Sequence, residues 1–166
     1  MKKDLFKTEI RRINGHLKEL VTFLDSSGNP IGQVMNPIMV ELRPRDIIQI
    51  FVGSLFIASP LSFTEEVWII SSELSVVNVF LLWCCSLITV VLFVFYNFYR
   101  ATLKGHVIEF VKRIMAIYLI SIFSVILILS LIDKFPIITE TEVAIKRVLI
   151  IGFPAVFGGT LSDFLK

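Results

Sequence analysis

Four strongly apolar stretches of this chain carry no charged residue: 47–63, 74–99, 114–132 and 148–162. Uncharged runs of this length have few homes in water, and they set the fold before any other feature is read. Residues 74–99 are long enough to cross ~30 Å of hydrocarbon with some tilt, and residues 114–132 are close to the minimum. The first run is followed by Glu65 and Glu66, beyond which apolar sequence continues to Ile70. The last run falls short of the ~20 residues of an ordinary span and contains Gly152, Pro154, Gly158 and Gly159. It reads as a tightly packed span extended by its flanks; the alternative is a broken or re-entrant segment.

Composition agrees. The chain is 55% hydrophobic and 18% charged, with a mean hydropathy of +0.83, against roughly 45–50% and about 25% in soluble domains. With 8 Gly, 6 Pro and 2 Cys, collagen, a disordered tail and a disulfide-stapled domain are excluded. A net charge of +2 gives no electrostatic reason to expect a nucleic-acid partner. No apolar run precedes residue 47, so no cleavable signal peptide is expected and the first span directs insertion.

Loop charges predict the orientation. Residues 1–46 carry Lys2, Lys3, Lys7, Arg11, Arg12, Lys18, Arg43 and Arg45, and residues 100–113 carry Arg100, Lys104, Lys112 and Arg113. The connection 64–73 has no basic residue, and the one after the third span has Lys134, Lys146 and Arg147. Basic loops stay on the cytoplasmic side. The expectation is a multi-pass protein of the cell (inner) membrane with both termini cytoplasmic, a bias that disfavours dual topology.

Ahead of the membrane, Phe6, Ile10, Ile13, Leu17, Leu20 and Leu24 recur at spacings of four and three. That is the a/d seam of a heptad pattern, and it predicts a cytoplasmic amphipathic or coiled-coil helix joining identical subunits. A helix docked on its own chain or on the lipid surface is the alternative. Gly15 weakens such a helix by about 1 kcal/mol relative to Ala. Asp25-Ser26-Ser27-Gly28-Asn29-Pro30 reads as a turn without the ligand pattern of a calcium loop. Ile38, Val40 and Leu42 suggest a short extended piece, and Asp46 is placed to cap the first span.

The passage richest in chemistry is Ser59-Pro60-Leu61-Ser62-Phe63-Thr64-Glu65-Glu66-Val67-Trp68. Two carboxylates follow a proline and have no nearby base in sequence. Acidic groups at membrane depth face a bundle interior or water. On a helical wheel Ser54, Ala58, Ser62, Glu65 and Glu66 share an arc of about 120°. Repeated about a symmetry axis, that face makes a glutamate ring that attracts an inorganic cation, with Ser54, Ser59, Ser62 and Thr64 lining the route. The competing reading is that Glu65 and Glu66 sit in interfacial water at the first turn of a helix, favoured there by its dipole.

Gly152, Ala155, Gly159 and Ser162, spaced three, four and three apart, predict a small-residue surface for close helix packing. Asn78 and Asn97 are candidate interhelical hydrogen bonders, and Cys84 and Cys85 read as small apolar packing residues. His16 and His106 fall outside the spans, so an intramembrane metal site is not expected. No phosphate-binding glycine loop or Ser/His/Asp set is present either. No catalytic residues, metal or cofactor are therefore predicted, and an enzyme is not expected.

The segment PLSFTEEVW (residues 60–68) resembles a family of small prokaryotic integral membrane proteins of unknown function. Arg45-Asp46-Ile47-Ile48, Gly53, a second span starting soon after Trp68 and the glycine-rich last span near Asp163 support the likeness, which covers roughly residues 40–166. It implies four spans and supplies no activity. The expected molecule is all-α: a cytoplasmic helix and linker (1–46) and a four-helix transmembrane domain (47–166), in contact with the lipid bilayer and assembled as a homo-oligomer. The leading function is cation conduction. The alternatives are a proton-coupled exchanger of small solutes or ions, in which Glu65 or Glu66 carries the proton, and a non-transporting scaffold that recruits a partner through the N-terminal helix.

Overall fold

The computed structural model describes residues 6–13, 16–25, 27–37, 41–99 and 106–165. The chain divides into two compact units, Met1–Glu41 and Leu42–Lys166.

The first unit corrects the expectation of an N-terminal helix. It is a three-stranded antiparallel sheet of order β1-β2-β3, with β1 at Phe6–Ile13, β2 at His16–Leu24 and β3 at Pro30–Pro37. Phe6, Ile10, Ile13, Leu17, Leu20 and Leu24 therefore lie on strands and form no heptad seam. The physical reason is in the sequence that interrupts the pattern. The register pairs Ile13 with His16, and the two residues between them in sequence are Asn14 and Gly15, the pair that two-residue hairpins prefer. Strand-forming Thr, Val, Ile and Phe residues flank that pair. Across β2 and β3, Val21 pairs with Val34 and Leu20 with Met35. The turn after β2 is the expected one: the Gly28 amide donates to the Asp25 carbonyl (2.8 Å) and the Asp25 amide to that of Asn29 (2.8 Å). Gly28 sits at φ +87°, a left-handed backbone that favours glycine. Ile38 and Val40 lie outside the described residues.

The second unit is helical. Helix α1 spans Pro44–Ser62, α2 Glu65–Glu73, α3 Val76–Val94 (continued by a π-helical turn, Phe95–Tyr99), α4 Val107–Leu131 and α5 Thr141–Phe164. Three of these are long and apolar enough to cross a membrane, and a fourth span results if α1 and α2 count as one broken span. Pro44 opens α1, where a missing N–H costs nothing. Asp46 belongs to the first turn, with Arg43 in the capping position, and its carboxylate accepts the Arg43 amide at 3.0 Å. Pro60 lies inside α1; the break comes after it, and α2 leaves at 85°. Two carbonyls freed at that corner are satisfied from the far side of the bend. The Thr64 hydroxyl donates to Leu61 O (2.7 Å) and the Trp68 indole N–H to Ser62 O (3.1 Å).

Helix α5 is continuous, so the last apolar run is a full helix extended at both flanks, with Pro154 inside it. It packs against α1, α2, α3 and α4 and forms the centre of the unit. Its closest neighbour is α1, because both helices present glycine at the crossing. A Cβ on Gly53 would lie 2.5 Å from the Gly158 carbonyl oxygen, and one on Gly159 would lie 2.5 Å from Ser54 Oγ. Small residues let membrane helices approach this far and gain dispersion contacts along their backbones. Ala58, Val125, Leu129, Val148, Ile151 and Ala155 fill the layer beside the crossing.

Candidate functional site

The bases of α1 and α4 and the last turn of α5 converge on a buried ionic cluster. Arg113, near the start of α4, is wholly buried. Its Nη1 donates to Asp163 Oδ2 at 2.5 Å and its Nη2 lies 3.6 Å from Asp46 Oδ2. Both carboxylates are also buried, at 2% exposure for Asp46 and 0% for Asp163. The ring of Phe98 covers the guanidinium with its centroid 4.4 Å away, and Tyr99 is buried close by. Tyr99 in turn meets Phe110 edge-on, with centroids 5.1 Å apart. Arginine suits this place: its planar fork engages two carboxylates at once, and it is less strongly hydrated than an ammonium.

Burial removes the water that would otherwise solvate these charges, so they depend on one another and on their neighbours for compensation. One turn and two turns above Asp46 on the same face of α1 stand Ile50 and Ser54, both buried. Ser54 Oγ and Ser121 Oγ of α4 share a hydrogen bond of 2.7 Å, over the flat surface of Gly159. The cluster and the serine pair thus lie two turns apart where α1, α4 and α5 meet, with the buried Ile50 between them.

At the opposite ends of those helices a second polar group ties α2 to α5. Arg147 Nη1 donates to the Lys134 carbonyl (2.7 Å) and Nε to Ser71 Oγ (3.3 Å). The Lys134 ammonium lies 4.3 Å from the centroid of the Trp68 ring.

The predicted site residues are dispersed. Glu65 and Glu66 are exposed in the first turn of α2, and among the described residues neither forms an ion pair. Ser54 and Ser62 are wholly buried: Ser54 is bonded to Ser121, and Ser62 donates to the Ala58 carbonyl at 2.8 Å. Ser59 and Thr64 are half-buried. The α1 face expected to line an open route is therefore, within the single chain, a face closed by packing, because α4 and α5 fill it. Of the predicted packing residues, Gly159, Ala155 and Ser162 do meet a neighbour, while a Cβ on Gly152 would touch nothing within 4 Å. Gly53 and Gly158, which the three-and-four spacing passes over, make the tightest contacts. The Asn97 side chain donates to Phe93 O of its own helix (2.8 Å), and the Asn78 backbone N–H donates to the capping Ser75 Oγ (3.2 Å). Interhelical bonds among the described residues are made instead by Arg113 with Asp163, Ser54 with Ser121, Ser86 with Tyr118 (2.8 Å) and Arg147 with Ser71. Cys84 is half-buried and Cys85 exposed, both as free thiols.

Sequence reading treated Asp46 as a cap, Arg113 as a loop charge and Asp163 as a flanking residue. The signal that joins them is topological. With an even number of spans, the start of the first, the start of the third and the end of the fourth share one membrane face.

Apolar helices around a central α5, with the charged side chains of the described residues sealed or near helix ends, define an integral membrane protein whose outer surface contacts the lipid bilayer. The chain belongs to the family described as "Putative integral membrane protein (DUF2391)", whose family model matches residues 30–163. No curated protein and no solved structure matches it.

Proposed function

We propose that this protein is a proton-linked exchanger of small ions or solutes, with Asp46, Arg113 and Asp163 as its charge centre. The observation that carries this reading is the cluster itself, three ionisable side chains buried where α1, α4 and α5 meet. Ionisable groups enclosed in a membrane bundle are costly, and they mark ion pathways and proton relays. A buried carboxylate that takes up a proton can give up a cation in exchange, so the charge of the site is the same in either state. A proton and a monovalent cation are the natural alternatives for that position. On this reading both termini are cytoplasmic, following the basic loops, and the cluster lies at the cytoplasmic end of an inner-membrane protein that performs no bond chemistry.

The test is exchange in proteoliposomes loaded with a pH-sensitive dye. Adding Na⁺, K⁺ or Li⁺ outside should dissipate an imposed pH gradient, and Asp163→Asn should abolish the response. A wild-type protein that leaves the gradient intact with every cation overturns the assignment.

A second reading is passive cation conduction by a homo-oligomer, and the exposure of Glu65 and Glu66, which form no ion pair among the described residues, favours it. Symmetry-related copies would gather these carboxylates at a pore mouth, where they attract cations. Flux would then need no pH gradient, and Glu65→Gln with Glu66→Gln would remove cation preference. If neither flux is observed, a scaffold acting through the N-terminal sheet is the remaining reading, and loss of the cellular phenotype on deleting residues 1–37 would be its mark.

A further inference from the structure

Helix α1 buries one polar atom that packing leaves without a partner. Gln49 lies one turn beyond Asp46, and its side-chain oxygen Oε1 is buried and accepts no hydrogen bond among the described residues. An amide oxygen taken out of water without a donor is costly, and a buried acceptor of this kind needs a group to coordinate. The helix crossing shows where it stands. Along one row of α1, a Cβ on Gly158 would lie 2.5 Å from Ile57 Cγ1, and one on Gly53 would meet both Gly158 and Ser162. Helices α1 and α5 run in opposite directions. The next step of that row, Gln49, therefore comes to the end of α5 beyond Ser162, where Asp163 pairs with Arg113. Gln49 stands beside the ionic cluster, between the two helices that supply its carboxylates.

We infer that Gln49 is a ligand of the cation bound at this cluster, its amide oxygen joining the carboxylates of Asp46 and Asp163 around an alkali-metal ion. The inference rests on the reading of the cluster as an exchange site. Carboxylate and carbonyl oxygens suit hard metal ions, and a carbonyl dipole replaces water from an ion's hydration shell. The neutral amide accepts hydrogen bonds but takes up no proton near neutral pH. Gln49 thus favours the metal-loaded state alone, and it separates two ions that a carboxylate accepts alike. The metal is monovalent, because it takes the place of one proton.

The test is thermal unfolding of the full chain in detergent, with LiCl, NaCl or KCl titrated against choline chloride at constant ionic strength. At least one of the three salts should raise the wild-type midpoint saturably. Gln49→Met removes the oxygen at nearly the same length. It should raise the half-effect concentration of that salt by about 10-fold or more, as loss of one bond to a charged group does. In choline alone its midpoint should hold or rise, because a buried unpaired oxygen has gone. The absence of saturable stabilisation by any salt overturns the inference. So does an equal drop of the Gln49→Met midpoint in choline and in salt with the half-effect concentration unchanged, the mark of a structural amide. Should Gln49→Met not fold, Gln49→Asn, with its carbonyl drawn back by one methylene, takes its place under the same criteria. Proteoliposome exchange keeps the two claims apart. Salt stabilisation lost in Gln49→Met, in a protein that leaves every imposed pH gradient intact, supports the ligand and overturns exchange. Exchange with the same cation dependence in wild type and Gln49→Met supports exchange and overturns the ligand.

Discussion

Gly53, Gly152 and Gly159 look alike in the sequence, yet the space around each assigns them opposite sensitivities. Gly159→Ala would put a methyl group 2.5 Å from Ser54 Oγ and 3.0 Å from Ser121 Oγ, and Gly53→Ala would meet the backbone oxygen of Gly158 at 2.5 Å. Overpacking of this kind costs about 1–3 kcal/mol, with Gly53 the worse of the two because a backbone atom cannot swing aside. Gly152→Ala meets nothing within 4 Å and should be neutral or stabilise by up to about 1 kcal/mol through helix propensity. Thermal unfolding of the three variants in one detergent checks the ranking; equal losses at Gly53 and Gly152 would contradict the crossing. The ionic cluster has a comparable internal contrast. Arg113→Met leaves two buried carboxylates without their shared cation and should cost about 3–5 kcal/mol, whereas replacing Asp46, Arg113 and Asp163 together with Asn, Met and Asn should cost much less. A triple variant less stable than Arg113→Met would contradict the ion-pair account.

Among the elements, the N-terminal sheet is where periodicity misled. The three-and-four spacing from Phe6 to Leu24 satisfies a heptad template, but that template does not register that Asn14 and Gly15 can reverse the chain. In the sheet, residues that a helix would separate are neighbours. Thr8 pairs with Val21 in the sheet; in one continuous helix the thirteen-residue separation would be ~20 Å, far beyond the ~7 Å limit for a disulfide. Cysteines at positions 8 and 21, with Cys84 and Cys85 replaced by Ser, should therefore cross-link within one chain under mild oxidation. Failure to do so, with the protein folded, contradicts the sheet. The spans were far more legible, because twenty uncharged residues admit few structures in lipid. The 85° corner between α1 and α2 was legible only in part: Pro60 marked the region, whereas the bend follows Phe63, where Thr64 and Trp68 can repair the exposed carbonyls. Trp68→Leu removes the bond to Ser62 O and the contact with Lys134 together, and should destabilise the chain by about 1–3 kcal/mol.

For the whole molecule, the charge that matters is the charge that is sealed. Glu65 and Glu66 drew notice because they interrupt apolar sequence, yet a carboxylate in the first turn of an interfacial helix is inexpensive. Asp46, Arg113 and Asp163 drew little because each lies at the edge of a span, where a charge costs nothing until the fold closes over it. No single window of sequence contains all three; only the helical topology brings residues 46, 113 and 163 together. The central claim is that this sealed group exchanges a proton for a cation. Its most direct test is the internal pH of proteoliposomes holding the wild-type protein and, in parallel, Asp163→Asn. The account predicts cation-driven alkalinisation of an acid-loaded lumen in the first and none in the second, with the Glu65→Gln/Glu66→Gln protein behaving as wild type. Alkalinisation that survives in Asp163→Asn but vanishes in the double glutamine protein would contradict it.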